Sequence, residues 1–402
     1  MIGGFTAPGF EAVREAFEAN FRRRGELGAA CAAYLRGECV VDLWGGYRDA
    51  HGRPWERDTL VMVYSTSKGL AAMTVALAHS RGLLDYDAPV ATYWPQFAHH
   101  GKAQITVRQL LSHQAGLCAI DEPLDAAKLA DLDGLATLLA AQRPAWEPGA
   151  YQGYHALSLG WYESELIRRV DPEHRSLGRF FAEEIAAPLD LEFYFGLNDE
   201  QAGARVASIQ GSGVLAALLH PRGMPPRMLT AFLNPASLTA RVFANPKLRS
   251  TAGLDAPEYR AVEIPAGGGI GQVRSVARAY SELATGGRTL GLSPRTLDEL
   301  SAPPRAPSAS PRDRVLMTQA SFALGFSRPS ERFAFGSSPR AFGHPGAGGS
   351  FAFADPDRQL SFAYAPNRLG HHLRDDPREK ALRDAVESSP AVTASSPTAR
   401  VA

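Results

Sequence analysis

Lysine is scarce in this 402-residue chain: positions 68, 102, 128, 247 and 380 are the only lysines among 42 basic residues. The acidic residues also number 42, so the formal net charge is zero. That balance removes the usual electrostatic basis for a nucleic-acid partner or a polyanionic surface. Three cysteines, Cys31, Cys39 and Cys118, form an odd set without a CxxC pair. They argue against a disulfide framework and read as free thiols in a reducing compartment. No stretch approaches the roughly 18 uninterrupted apolar residues of a membrane span. The start, MIGGFTAPGFEAVREAF, lacks a basic segment followed by an apolar core. No secretory signal is therefore expected, and the expected location is cytoplasmic. The pairs His99-His100 and His371-His372 lack acidic or cysteine partners at metal-ligand spacing, so both read as surface loops. What remains is 45% hydrophobic and 21% charged, the balance of a globular protein.

Phe10, Val13, Phe17 and Phe21 recur at helical spacing, which predicts a helix over 8–24. GAACAAYL and CVVDLWGG are strand-like and flank Arg36-Gly37-Glu38, a hairpin turn. LVMVY predicts a short strand running into a helix over 65–81. From about residue 86 to 259 helical apolar spacing dominates, in TVRQLLSHQ, LDGLATLLAAQR, YHALSLGWYESELIRRV and SLGRFFAEEIAAPL. Strands return in SFALGFSR, RFAFG and SFAFADPDRQLSFAYA, the last a hairpin around Asp355-Pro356-Asp357-Arg358. A closing helix is predicted from Pro377 to Val386. The expected organisation is an α/β unit built from both chain ends (1–85 and 260–388) and a mainly helical unit (86–259). Residues 389–402 have the composition of a disordered tail. Helices then flank an antiparallel sheet, and the cleft between the two units is the natural ligand site.

Three stretches carry candidate chemistry. In VMVYSTSKGL, Ser65 and Lys68 stand three apart, one helical turn. A buried, neutral lysine at that distance could accept the serine proton. The spacing suits an N-capped helix with a solvated lysine equally well. In WEPGAYQGYHALSLG, Tyr154 follows a Pro-Gly turn at a helix start and could relay a proton, or simply pack its ring in the core. In FGHPGAGGSF, glycines precede and enter a strand, where backbone N–H groups could stabilise an oxyanion or merely make a tight turn. Two further motifs read as structural. ALSLG has alanine in place of the first glycine of GxSxG and lies inside a helical pattern, so Ser158 is not expected to be a nucleophile. GGGIGQVR lacks the third glycine of a dinucleotide loop and the surrounding βαβ series.

Taken in order, these motifs resemble the serine β-lactamase-like superfamily. Within it the chain is most similar to the family VIII carboxylesterases, esterases with the class C β-lactamase fold. The resemblance covers roughly residues 10–370 and is supported by ITVRQLLSHQAGL and by RSVARAYSELATGG. It implies Ser65 as the acylated nucleophile and Lys68 as the group that keeps it activated. It implies Tyr154 as the residue sharing proton transfer with Lys68. The backbone N–H groups of Ser65 and Ala347 would form the oxyanion hole, and His344 and Gly346 would line the cleft. No metal and no organic cofactor is implied, and nothing fixes an oligomeric state.

The departures from the family pattern bear on substrate. Ala156 stands where β-lactamases and DD-peptidases of this type have asparagine. His344-Pro345-Gly346 stands where they have Lys-Thr-Gly. Losing that lysine and that amide favours small uncharged carboxylic esters over β-lactams or peptides. The expected activity is ester hydrolysis through an acyl-enzyme. A β-lactamase or peptidase-like amide hydrolase, an acyltransferase and a non-catalytic binding protein are the alternatives.

Overall fold

Arg36 and Gly37 turn the first hairpin with φ of +55° and +87°. Positive φ at both central residues gives the turn whose twist matches the flanking strands. Strands Gly28–Leu35 and Glu38–Gly46 pair across it. The computed structural model describes residues 2–211, 224–248 and 250–394. Its main sheet has eight strands, all antiparallel. The order is Ile2–Thr6, Glu38–Gly46, Gly28–Leu35, Leu360–Pro366, Phe351–Asp355, Phe342–Pro345, Phe326–Ser327 and Phe322–Ala323. The pairing of Gly28–Leu35 with Leu360–Pro366 joins the two ends of the chain, with Ala33 opposite Phe362.

Period-two alternation gives the sheet two different faces. Phe351, Phe353, Phe362 and Tyr364 point into a cluster with Phe10, just ahead of helix Glu11–Arg23, with Val13 and Phe17 of that helix, and with Leu382 and Val386 of helix Pro377–Glu387. Ala352, Ala354, Ala363 and Ala365 point the other way, into the larger core. That alanine face admits helix Val273–Ala284 closely against the central strands. Behind it runs helix Ser67–Ser80, buried along nearly its whole length. Its Gly69 has no room for a side chain, because a Cβ would meet the Tyr280 hydroxyl at 1.7 Å.

Several elements differ from the expectation. RFAFG is not a strand. It is a loop that drives Phe333 and Phe335 into the core against Phe351. The helix expected at Tyr154 begins at Ser158, and the glycine-rich run 267–274 supplies a strand, Gly269–Gly271, between Val61–Met62 and Phe193–Phe195. Pro390–Thr393 forms a short helix with Val392 buried, where disorder was expected; residues 395–402 lie outside the described residues. Among the described residues no helix is long and apolar enough to cross a membrane.

One buried polar network ties helix Pro377–Glu387 to the sheet. The Arg378 guanidinium donates to Asp376 at 2.9 and 3.0 Å, to Glu26 at 3.2 Å, and to the carbonyls of Arg368 and Gly348 at 2.8 and 2.9 Å. The Tyr364 hydroxyl donates to Glu26 as well. The Gly348 bond holds the glycine-rich turn that follows strand Phe342–Pro345. Removing one member of such a network leaves buried charges unpaired. Arg378→Met is therefore expected to cost about 3–5 kcal/mol in urea unfolding. A loss under about 1 kcal/mol would mean that the network does not hold this region.

Candidate active site

Ser65 does not cap a helix. It lies in the middle of a 3₁₀ turn, Tyr64–Thr66, and the α-helix starts at Ser67; neither start has a side-chain cap. The preceding Tyr64 is buried and takes φ +49°, unusual for a bulky residue. Such a conformation persists only when its surroundings over-determine it. Here the Ser67 hydroxyl donates to the Tyr64 carbonyl and accepts from the Gly269 N–H at 3.0 Å, and the Tyr64 hydroxyl donates to the Thr251 carbonyl at 3.3 Å. The result is a sharp turn that presents Ser65, partly exposed, at the end of a rigid helix.

Lys68 is fully buried one turn further on. Its Nζ lies 3.1 Å from Ser65 Oγ, 2.6 Å from the Ala156 carbonyl and 2.7 Å from the Ala266 carbonyl. It also sits 4.8 Å from the centre of the Tyr154 ring. Burial without a hydrogen-bonded carboxylate pulls its pKa down to about 7, against the opposing pull of Glu163. Glu163, on helix Ser158–Val170, is itself buried, and neither carboxyl oxygen has a hydrogen-bond partner among the described residues. Burial pushes it up to about 8, with Lys68 pulling the other way.

Burial raises the pKa of the Tyr154 hydroxyl, with the Ser65 side chain pulling the other way. The phenol thus keeps its proton at neutral pH. Tyr154 lies in coil four residues ahead of the helix, held by Asp313: one carboxylate oxygen accepts the Tyr154, Val315 and Leu316 N–H groups at 3.2, 2.9 and 2.7 Å. Its ring packs against His113 and stacks on Phe322 and His344. His155 donates from Nδ1 to the Gly153 carbonyl at 2.8 Å and accepts the Leu117 N–H on Nε2 at 3.2 Å. Burial draws it down to about 3, so it is a neutral structural clamp. Asp313, His113, His155 and Glu163 had no motif to announce them. The only sequence signal was the histidine inside each supporting stretch, SHQAGL and YHALSL.

The FGHPGAGGS strand is pinned to the Ser65 turn through Ser350. Its hydroxyl donates to the Val63 carbonyl at 2.7 Å and accepts from Thr66 Oγ1 at 3.1 Å. Gly346 allows this approach, since a Cβ there would lie 2.5 Å from the Val63 carbonyl oxygen and 2.9 Å from Thr66 Oγ1. Ser65 is the second residue of the 3₁₀ turn Tyr64–Thr66 and Ala347 the first of Ala347–Gly349, both ahead of the first N–H that a 3₁₀ turn pairs internally. N–H groups at such positions lack a partner inside their own turn. His344 is buried, donates from Nδ1 to the Pro345 carbonyl at 2.8 Å, and keeps Nε2 as an unpartnered acceptor. Burial and nearby Lys68 hold it well below the usual imidazole pKa, so it is neutral.

The remaining motifs are structural. Ser158 Oγ donates to the Leu117 and Cys118 carbonyls at 2.9 and 3.2 Å, inside the fold. No cluster of metal-ligating side chains occurs among the described residues.

Comparison with known proteins identifies the family and the fold. The Beta-lactamase family model matches residues 13–387. Esterase/beta-lactamase LipL of Mycobacterium tuberculosis (strain ATCC 25618 / H37Rv) is 35% identical over 370 residues, spanning 92% of this chain and 83% of that protein. A crystal structure of a family VIII carboxylesterase superposes with a TM-score of 0.84 at 39% identity, covering 96% of this chain and 98% of that one. A penicillin-binding protein homologue from Caulobacter crescentus gives a TM-score of 0.83 at 37% identity, covering 97% of this chain and 100% of that one. With the family model matching residues 13–387 and a relative 35% identical over 92% of the chain, this protein belongs to the beta-lactamase family.

Proposed function

We propose that the protein is a serine carboxylesterase that works through an acyl-enzyme. What carries this reading is the set of acceptors around Lys68. Two are carbonyl oxygens, which can only accept, so two N–H bonds of the amine are committed to Ala156 and Ala266. The remaining position faces Ser65 Oγ. In the neutral amine that position holds the lone pair, aimed at the serine hydroxyl.

Ser65 Oγ attacks the ester carbonyl as its proton passes to Lys68 Nζ. The negative charge that builds on the carbonyl oxygen is met by the N–H groups of Ser65 and Ala347. Collapse breaks the bond to the alcohol, which leaves with a proton handed on from Lys68 by way of Tyr154. Water then attacks the acyl carbon, returns a proton to Ser65 and releases the acid. A protonated Tyr154 suits the donor half of this cycle better than the acceptor half. The names of the relatives, an esterase/beta-lactamase and a carboxylesterase, support the reaction class. The neutral His344 and the alanine at 156 support esters over β-lactams. A chromogenic cephalosporin turned over as fast as an ester would favour the amide-hydrolase alternative.

With p-nitrophenyl butyrate, Ser65→Ala is expected to lower kcat by roughly 10⁴-fold or more. Tyr154→Phe is expected to lower it by about 10²- to 10⁴-fold. Full activity in Ser65→Ala would refute the mechanism.

The pH dependence has a fixed sign. Lys68 must be neutral to act, and its pKa is drawn down to about 7. Below that value the lone pair is protonated, so kcat/KM should fall about tenfold per pH unit and level off above it. A profile flat from pH 5 to 9 would exclude Lys68 as the base.

A further inference from the structure

Four arginines from four separate segments converge on one cleft of about 600 Å³: Arg227, Arg312, Arg332 and Arg374. None of the four is in a salt bridge among the described residues. Two carboxylates lie near: Asp375, on the cleft wall, pairs with Arg383, and Asp313 spends one oxygen on three backbone N–H groups; both act on Arg374 through space without forming a salt bridge with it. Residues 212–223 contain no acidic side chain. Elsewhere on the surface, exposed arginines do find carboxylates, as Arg305 does at Asp87 (2.9 Å) and Arg340 at Asp357 (3.0 Å). The local excess is therefore not a consequence of overall charge, which is zero.

The cleft adjoins the candidate active site. Met317 and Leu373, on its wall, pack against the cluster that contains Tyr154, Ala156 and Phe322. Arg374 also lines a small crevice with Pro345 and Gly346 of the glycine-rich strand, and its charge reaches the Tyr154 hydroxyl. Two of the guanidiniums are steered by a single bond each. Arg312 donates to the Met317 carbonyl at 3.0 Å and Arg374 to the Gln319 carbonyl at 3.4 Å. A guanidinium has five N–H donors, so most of theirs stay available. Like charges gathered in a concave surface focus their field outward and favour an anion there.

We propose that this cleft binds the anionic end of the substrate, making the preferred substrate an ester that carries an oxyanion group, a carboxylate or phosphate, on its acyl or alcohol half. The inference rests on the esterase reading for its chemistry, and it replaces the expectation of uncharged esters drawn from His344 and Ala156.

The test compares matched esters: mono-p-nitrophenyl glutarate against p-nitrophenyl valerate, and 4-butyryloxybenzoate against its methyl ester. At least one anionic ester should exceed its neutral match tenfold or more in kcat/KM. That ratio should fall at least fivefold in Arg312→Gln and in Arg374→Gln, and should shrink in 1 M NaCl. Both ratios at or below one, and unmoved by either substitution, would overturn the proposal while leaving the esterase intact. Calorimetry with glutarate and with inorganic phosphate, on wild type and Arg312→Gln, separates the two readings. Arginine-dependent binding without turnover of any ester would sustain the anion site and refute the esterase. The absence of both arginine-dependent binding and turnover would refute both.

Discussion

Everything at the site depends on burying an amine among carbonyls. Lys68 has no carboxylate hydrogen-bonded to it; two backbone oxygens and one hydroxyl surround its nitrogen. An ammonium in that position pays desolvation with little return, so the neutral form gains. The same two carbonyls then fix where the lone pair points. The polarity of the amine and its aim are thus set by one arrangement, and both follow from where residues 156 and 266 are held. Ala156 matters through its backbone carbonyl, so its side chain takes no part in holding the amine.

Holding those carbonyls requires the two ends of the chain to meet. The sheet does this at large scale, through the pairing of Gly28–Leu35 with Leu360–Pro366. Ser350 does it locally, by bonding Val63 and Thr66 on the Ser65 turn. Gly346 permits the contact by having no side chain, and Arg378 fixes the next turn through the Gly348 carbonyl. Two backbone N–H groups from residues nearly 300 positions apart in sequence, those of Ser65 and Ala347, thereby come to stand on adjoining turns. The strained Tyr64 belongs to the same design, since its positive φ makes the sharp turn directly before Ser65.

Local chemistry was legible in the sequence where it depended on short spacing. Arg36-Gly37 announced its turn, alternation announced the 351–366 hairpin, and SxxK placed Ser65 beside Lys68. What could not be read depended on tertiary packing. RFAFG alternates like a strand, yet Phe333 and Phe335 pack together on Phe351, and the pairing stops at an isolated bridge from Phe333 to Ser330. Tyr154 was expected on a helix because the apolar spacing runs through it. Asp313, 159 residues away, instead captures its N–H and keeps it in coil. Asp313, His155 and Glu163 act as clamps or charges only because they are buried, and burial at a distance leaves no local mark. The neutrality of His344 likewise comes from its burial, and its bond to the Pro345 carbonyl supplies the reason for its tautomer.

The account stands on the protonation state of one nitrogen among five lysines, a number small enough for direct observation. Nitrogen-15 NMR of the lysine side chains, titrated from pH 5 to 11, reads it without reference to any substrate. One Nζ signal, absent from Lys68→Met, should titrate near pH 7; Lys102, also buried, should follow near 8. A Lys68 signal that remains an ammonium above pH 9 would contradict the account.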